Sequence, residues 1–148
     1  MRQLARGNVE ANPGPPRKHF ASLGSLNIRS GVKKAAILYD IICDRRLDVL
    51  AIRESWIPSN APATVKNDIA SVGYTALHFH RELRPDFPKR GGGLAVIDRN
   101  SLAVRDFSRP TGSIQPNTFE MQLVRITFSN SRSVVLANIY RPPRCPVP

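Results

Sequence analysis

Acidic residues are scarce in this chain of 148 residues: eleven Asp and Glu stand against twenty-two Lys and Arg, a formal net charge of +11 at pH 7. Cysteine is scarcer still. Cys43 and Cys145 are too few and too far apart for a disulfide framework or a zinc motif. No apolar run approaches the length that spans a bilayer, and residues 1–7 lack the apolar core of a secretory signal. Disulfide-scaffold and helical membrane classes are thereby excluded, and the chain is expected to be intracellular, in nucleus or cytoplasm, with no membrane partner. Such an excess of positive charge favours polyanions through long-range attraction and counterion release. Charge by itself leaves DNA, RNA and anionic lipid open.

The hydrophobic fraction of 41% is enough for a core, and the length fits one domain with little room for a second. Prolines crowd the ends: Pro13, Pro15 and Pro16 near the start, and Pro142, Pro143, Pro146 and Pro148 at the close. Residues 1–18 read as a flexible leader and residues 19–148 as the domain. Phe20, Leu23, Leu26 and Ile28 mark a first strand within residues 19–29. Behind Ser30, a residue suited to N-capping, Ala35, Leu38, Tyr39 and Ile42 recur at i, i+3, i+4 and i+7, one apolar face of a helix. Arg45 and Arg46 suit its C-terminal turn, and Cys43, among apolar neighbours, reads as a core thiol.

Residues 47–52 form a short apolar run, a second strand buried on both faces, so the chain opens in a βαβ-like unit. Strands are also expected at residues 74–80, at 94–97 after a tight turn of Gly91, Gly92 and Gly93, and at 102–104. In residues 119–128 the alternation of Phe119, Met121 and Leu123 slips at Val124, Ile126 and Phe128, which predicts a bulge or a doubly buried strand. Residues 133–140 read as a core strand, stopped by Pro142 and Pro143. Mostly strands with few helices predict an α/β fold of the layered α+β kind. A sheet that stops just after a core strand leaves a bare edge, so the sequence reads as a truncated domain.

Four segments, in this order and spacing, resemble the endonuclease/exonuclease/phosphatase superfamily in the form carried by non-LTR retrotransposons. They are LNIRS from Leu26, DVLAIRESWI from Asp48, RGGGLAV from Arg90 and NIYRPP from Asn138. The resemblance covers the chain from about His19 onward. It implies the N-terminal part of a four-layer, DNase I-like α/β sandwich with its active site at the ends of the central strands. It also implies that Glu54 is a metal ligand, that Asn27 lies beside the metal and scissile phosphate, and that Tyr140 approaches the phosphate. Arg29, Arg90 and Arg141, in the same motifs, are the expected substrate-binding cations, and Arg81, Arg84 and Lys89 are candidates for tracking a duplex backbone. The implied cofactor is Mg2+, with Mn2+ as its stand-in; magnesium keeps most of its waters and needs only one or two carboxylates plus substrate phosphate.

The family's later Gly-Asp-x-Asn segment and Asp-His pair do not occur in this chain. Those groups position the attacking water, so the resemblance implies a parent enzyme that nicks target DNA to prime reverse transcription, and a fragment here that lacks water activation. His19, His78 and His80 lie too early to supply the missing histidine and read as surface or strand residues. The leader adds a second match. GNVEANPGP from Gly7 resembles the ribosome-skipping peptides at the front of some retrotransposon polyproteins, with Asn8 where those have aspartate. DNA is the implied partner, with retrotransposon RNA or reverse transcriptase in the parent polyprotein.

Plainer readings of the same residues stand beside these. Glu54 also reads as a solvated strand terminus, Asn27 as a turn former, and Tyr140 as an aromatic at the core edge. A non-catalytic basic nucleic-acid-binding fragment, an inert transposon relic and a phosphatase of the same superfamily are the competing functions.

Overall fold

Strands β1 (Leu23–Asn27) and β2 (Val49–Arg53) lie parallel, joined by helix α1 (Ala35–Asp44), the βαβ-like opening expected from the apolar pattern. The computed structural model describes residues 21–81, 91–108, 118–128 and 130–142. After a short helix α2 (Ala63–Asn67), absent from the sequence reading, β3 (Tyr74–Phe79) and β4 (Leu94–Arg99) complete a four-stranded sheet in the order β1-β2-β4-β3. β5 (Ala103–Asp106), β6 (Glu120–Thr127) and β7 (Ser133–Tyr140) form a second, antiparallel sheet. The leader with its skipping-like motif, Arg84, Lys89, Arg90 and Cys145 fall outside the described residues.

Side chains alternate across a strand, and the two faces of β2 separate the core into two layers. Leu50 and Ile52, with Ala95 and Ile97 of β4, pack under Leu38 and Ile42 of α1. Val49 and Val96 face the other way, against Val124 and Ile126 of β6. The first sheet is thus covered by helix on one side and by the second sheet on the other, which is why β2 and β4 are near-continuous apolar runs. Polar side chains tie the sheets together. Asn138 of β7 is buried and donates its amide to the carbonyls of Ile52 at 3.0 Å and Ala95 at 3.2 Å, while Gln122 of β6 donates to the Leu77 carbonyl at 2.9 Å.

Five expectations need correction. Ser30 does not cap α1: its N–H donates to the Glu54 carbonyl at 2.8 Å, and the helix starts at Ala35 after Lys34, with no side-chain cap. Tyr39 is exposed, because the buried stripe runs through Leu38 and Ile42 with Ile41 partly buried beside them; Cys43, one position past Ile42, is carried round to solvent. β6 has no bulge. Its pairing with β7 runs unbroken from Glu120↔Tyr140 to Thr127↔Ser133, and the apparent slip arises because Glu120 and Gln122 take buried positions in phase with Val124 and Ile126. β7 is an edge strand rather than a core one: among the described residues it pairs with β6 alone, and Val134, Val135 and Ile139 are exposed.

Asp98 shares a face of β4 with Val96, and burial without a partner for Oδ1 pushes its carboxyl up to about 6. The folded-state pKa lies above the unfolded value, so this group's contribution is whole at low pH and is lost as pH rises through about 6. The loss is on the order of 2–3 kcal/mol. Asp98→Asn is expected to gain urea stability over the parent at pH 8 and to match it near pH 4. Equal gains at both pH values would show that the carboxyl is not desolvated.

Candidate active site at the strand ends

The register brings several chain segments to one end of the sandwich. Asn27 ends β1 opposite Arg53, the last residue of β2, and Glu54 follows. Arg53 pairs with Leu94 at the start of β4, and Leu94 with Phe79 at the end of β3. In the second sheet Glu120, first in β6, pairs with Tyr140, last in β7. Register within each sheet, with the Arg81–Glu120 pair and the Gly93–Glu120 bond between the sheets, thus gathers Asn27, Glu54, Arg81, the three glycines, Glu120 and Tyr140.

The backbone is bent hard at this end. Arg29, Ser30, Glu54 and Trp56 all have positive φ, at 45°, 96°, 57° and 53°. Such conformations cost non-glycine residues on the order of 1–3 kcal/mol and persist only when their surroundings impose them. Here a hydrogen-bond ladder does so: Gly31 N–H donates to Ser55 O at 2.7 Å, Ser55 N–H to Gly93 O at 3.0 Å and Trp56 N–H to Gly92 O at 2.9 Å. Gly91, Gly92 and Gly93 supply the partner turn with φ of 88°, 79° and 77°, the tight turn expected from the sequence. At Gly92 the φ of 79° favours glycine, and an added Cβ would press on the Arg81 guanidinium, which could shift only by leaving Glu120.

Asn27 Nδ2 donates to Glu54 Oε1 at 3.0 Å, and Asn27 Oδ1 accepts from the Arg29 N–H at 3.3 Å. The Tyr140 hydroxyl and the Trp56 indole also hydrogen-bond Glu54. Partial burial pushes the Glu54 carboxyl up, but the bonds from Asn27, Tyr140 and Trp56, with the charge of Arg29, outweigh it and leave its pKa below the ordinary glutamate value. Glu54 is therefore an anion at neutral pH. Burial, the bond to Glu54 and its negative charge push the Tyr140 phenol up to about 12. Tyr140 is a hydrogen-bond donor at this site and not a base.

The structure brings Asn27, Glu54, Tyr140 and Arg29 together, while Arg141 is exposed next to Tyr140 along the chain. Arg81 is not a surface cation. It is 8% exposed and paired with Glu120, itself 5% exposed, whose second oxygen accepts the Gly93 N–H at 2.7 Å. Sequence reasoning missed Glu120; its one signal was an acidic residue in phase with the buried positions of β6. His78 and His80 bond the carbonyls of Lys66 and Ile57, each at 2.8 Å, and serve the edge of the first sheet. No cluster of three or more His, Cys, Asp or Glu occurs among the described residues. One ionised carboxylate is nonetheless an oxygen donor of the kind that suits a hard divalent cation, which retains most of its water.

No protein-family model matches the sequence, and no curated protein matches it. Among solved structures, the AP endonuclease LMAP from Leishmania major superposes with a TM-score of 0.58 at 16% identity, over 80% of this chain and 38% of that one. A humanized TDP2 from D. rerio superposes with a TM-score of 0.51 at 17% identity, over 81% of this chain and 47% of that one. The chain has the fold of the endonuclease/exonuclease/phosphatase superfamily. It spans less than half the length of either structure. The mixed α/β character and stacked sheets expected of that DNase I-like fold are therefore present in the described residues. Among those residues no helix is long and apolar enough to cross a membrane.

Proposed function

We propose that this chain carries the cation-holding half of a phosphodiesterase site that cuts DNA, as part of a non-LTR retrotransposon endonuclease. The observation that carries the reading is the ionised Glu54 carboxylate at the strand ends, flanked by the Asn27 amide and the Tyr140 hydroxyl. Magnesium, or manganese in its place, would neutralise developing charge on the phosphate and the leaving oxygen. Glu54 is the ligand, Asn27 holds the carboxylate in place, and Tyr140, a donor whose one O–H faces Glu54 here, would turn it to a phosphate oxygen once a cation takes the carboxylate. Arg29 and Arg141 contribute positive charge beside them, and the net charge of +11 draws the polyanion to the surface. The Gly91–Gly93 turn, the Arg141-Pro142-Pro143 run and the skipping-like leader favour the retrotransposon form, with reverse transcriptase and element RNA as partners, over a phosphatase.

The test is nicking of supercoiled plasmid with magnesium and with EDTA, by this chain and by a longer form continuing in its reading frame. Metal-dependent nicked circles from the longer form alone are the expected result. Nicking by this chain alone would place the water-activating groups within it. DNA binding by both forms without nicking would replace the reading with the basic binding module.

A further inference from the structure

Trp56 is 44% exposed, an unusual position for the largest apolar side chain, and it lies two residues beyond Glu54. Its placement is imposed and not incidental. The backbone is held at φ 53° by the N–H bond to Gly92 O, and the indole nitrogen would lie only 3.3 Å from a Cβ on Gly91. A side chain larger than hydrogen at Gly91 would crowd the ring, so the glycine turn doubles as its seat. The Gly91 and Gly92 contacts hold the ring beside the Glu54 end of β2 and leave much of its surface open to solvent.

We infer that Trp56 is a stacking platform for a nucleobase, holding the nucleotide next to the phosphate engaged at Glu54. The inference rests on the DNA-cutting reading above and adds the residue that grips the strand. A phosphate beside Glu54 has its neighbouring base within one nucleotide of the indole, and every base offers a π-face to an aromatic ring, so the grip is tolerant of sequence. The surrounding charge is suited to the backbone: Arg29 flanks Glu54 and Arg141 follows Tyr140. A tryptophan serving the core would turn its ring inward; this one is seated on the glycine turn at the site and exposes its ring.

Trp56 is the sole tryptophan of the chain, so intrinsic fluorescence reports on it alone. The full chain is titrated in EDTA with a fluorescein-labelled single-stranded oligodeoxynucleotide. Label anisotropy and tryptophan emission are read together, with a base-free sugar-phosphate oligomer as the second ligand. The expected result is quenching that saturates with the anisotropy, no quenching by the base-free oligomer, and roughly tenfold weaker binding for Trp56→Ala with near-parent binding for Trp56→Phe. Rising anisotropy with unchanged emission, or equal quenching by the base-free oligomer, overturns the stacking role while leaving the DNA reading intact. No rise in anisotropy overturns both. Thermal melts of the two variants check that the exposed position tolerates replacement.

Discussion

Glu54→Ala is expected to lower metal-dependent nicking by the longer form roughly 100-fold or more, without loss of the fold. The residue is the ionised carboxylate that the Asn27 amide holds and that Tyr140 and Trp56 keep in its charged form, and no cluster of three or more His, Cys, Asp or Glu occurs among the described residues. Its side chain sits at the surface end of β2, so truncation removes the donor and leaves the core of Leu50, Ile52 and Ile97 untouched. A direct readout is terbium luminescence. The ion mimics a hard divalent cation, and at Glu54 it would be excited through the neighbouring Trp56 indole. Sensitised emission that disappears in Glu54→Ala and Glu54→Gln is expected; emission that survives both places the cation elsewhere.

The second large effect is structural. Glu120→Ala leaves the Arg81 guanidinium buried without its carboxylate and strips the Gly93 N–H of its acceptor. Removing one partner of a buried pair costs about 3–5 kcal/mol, a large share of the 5–15 kcal/mol typical of a whole domain. Glu120→Gln keeps an oxygen for Gly93 but not the charge, and is expected to fall between. Replacing both members, Arg81→Met with Glu120→Leu, removes the buried guanidinium along with its carboxylate and is expected to recover part of the loss. Urea denaturation of the three variants decides it. A cost below about 1 kcal/mol for Glu120→Ala would mean that the pair is solvated and that exposed-pair energetics apply.

How far the fold could be read from the sequence depended on what fixed each segment. β2 and β4 were legible because burial on both faces leaves a run of apolar residues with no other use. Asn27, Glu54 and Tyr140 were legible only through motif resemblance; nothing local says that residues 27 and 54 touch, since parallel pairing of β1 with β2 is what joins them. α1 began later than expected because Ser30 spends its N–H on the Glu54 carbonyl, a contact 24 residues away in the chain. β6 was misphased because buried Glu120 and Gln122 look like surface residues until Arg81, Gly93 and Leu77 are set against them. Cys43 shows the same lesson at shorter range: apolar neighbours in sequence did not make a buried position, because a helix turns about 100° per residue.

Among the described residues the chain passes from one sheet to the other through a single short link, Asn100 to Leu102. The sandwich is therefore built like a book, with no strand pairing between its covers. What joins the covers is the Val49, Val96, Val124 and Ile126 packing, the clasp of Asn138 on both β2 and β4, the Gln122 bond to Leu77, and Glu120 with its Arg81 and Gly93 partners. Glu54 belongs to one cover and Tyr140 to the other. Any loosening of the binding between them draws the phenol from the carboxylate, so the pages must be closed for the site to exist at all.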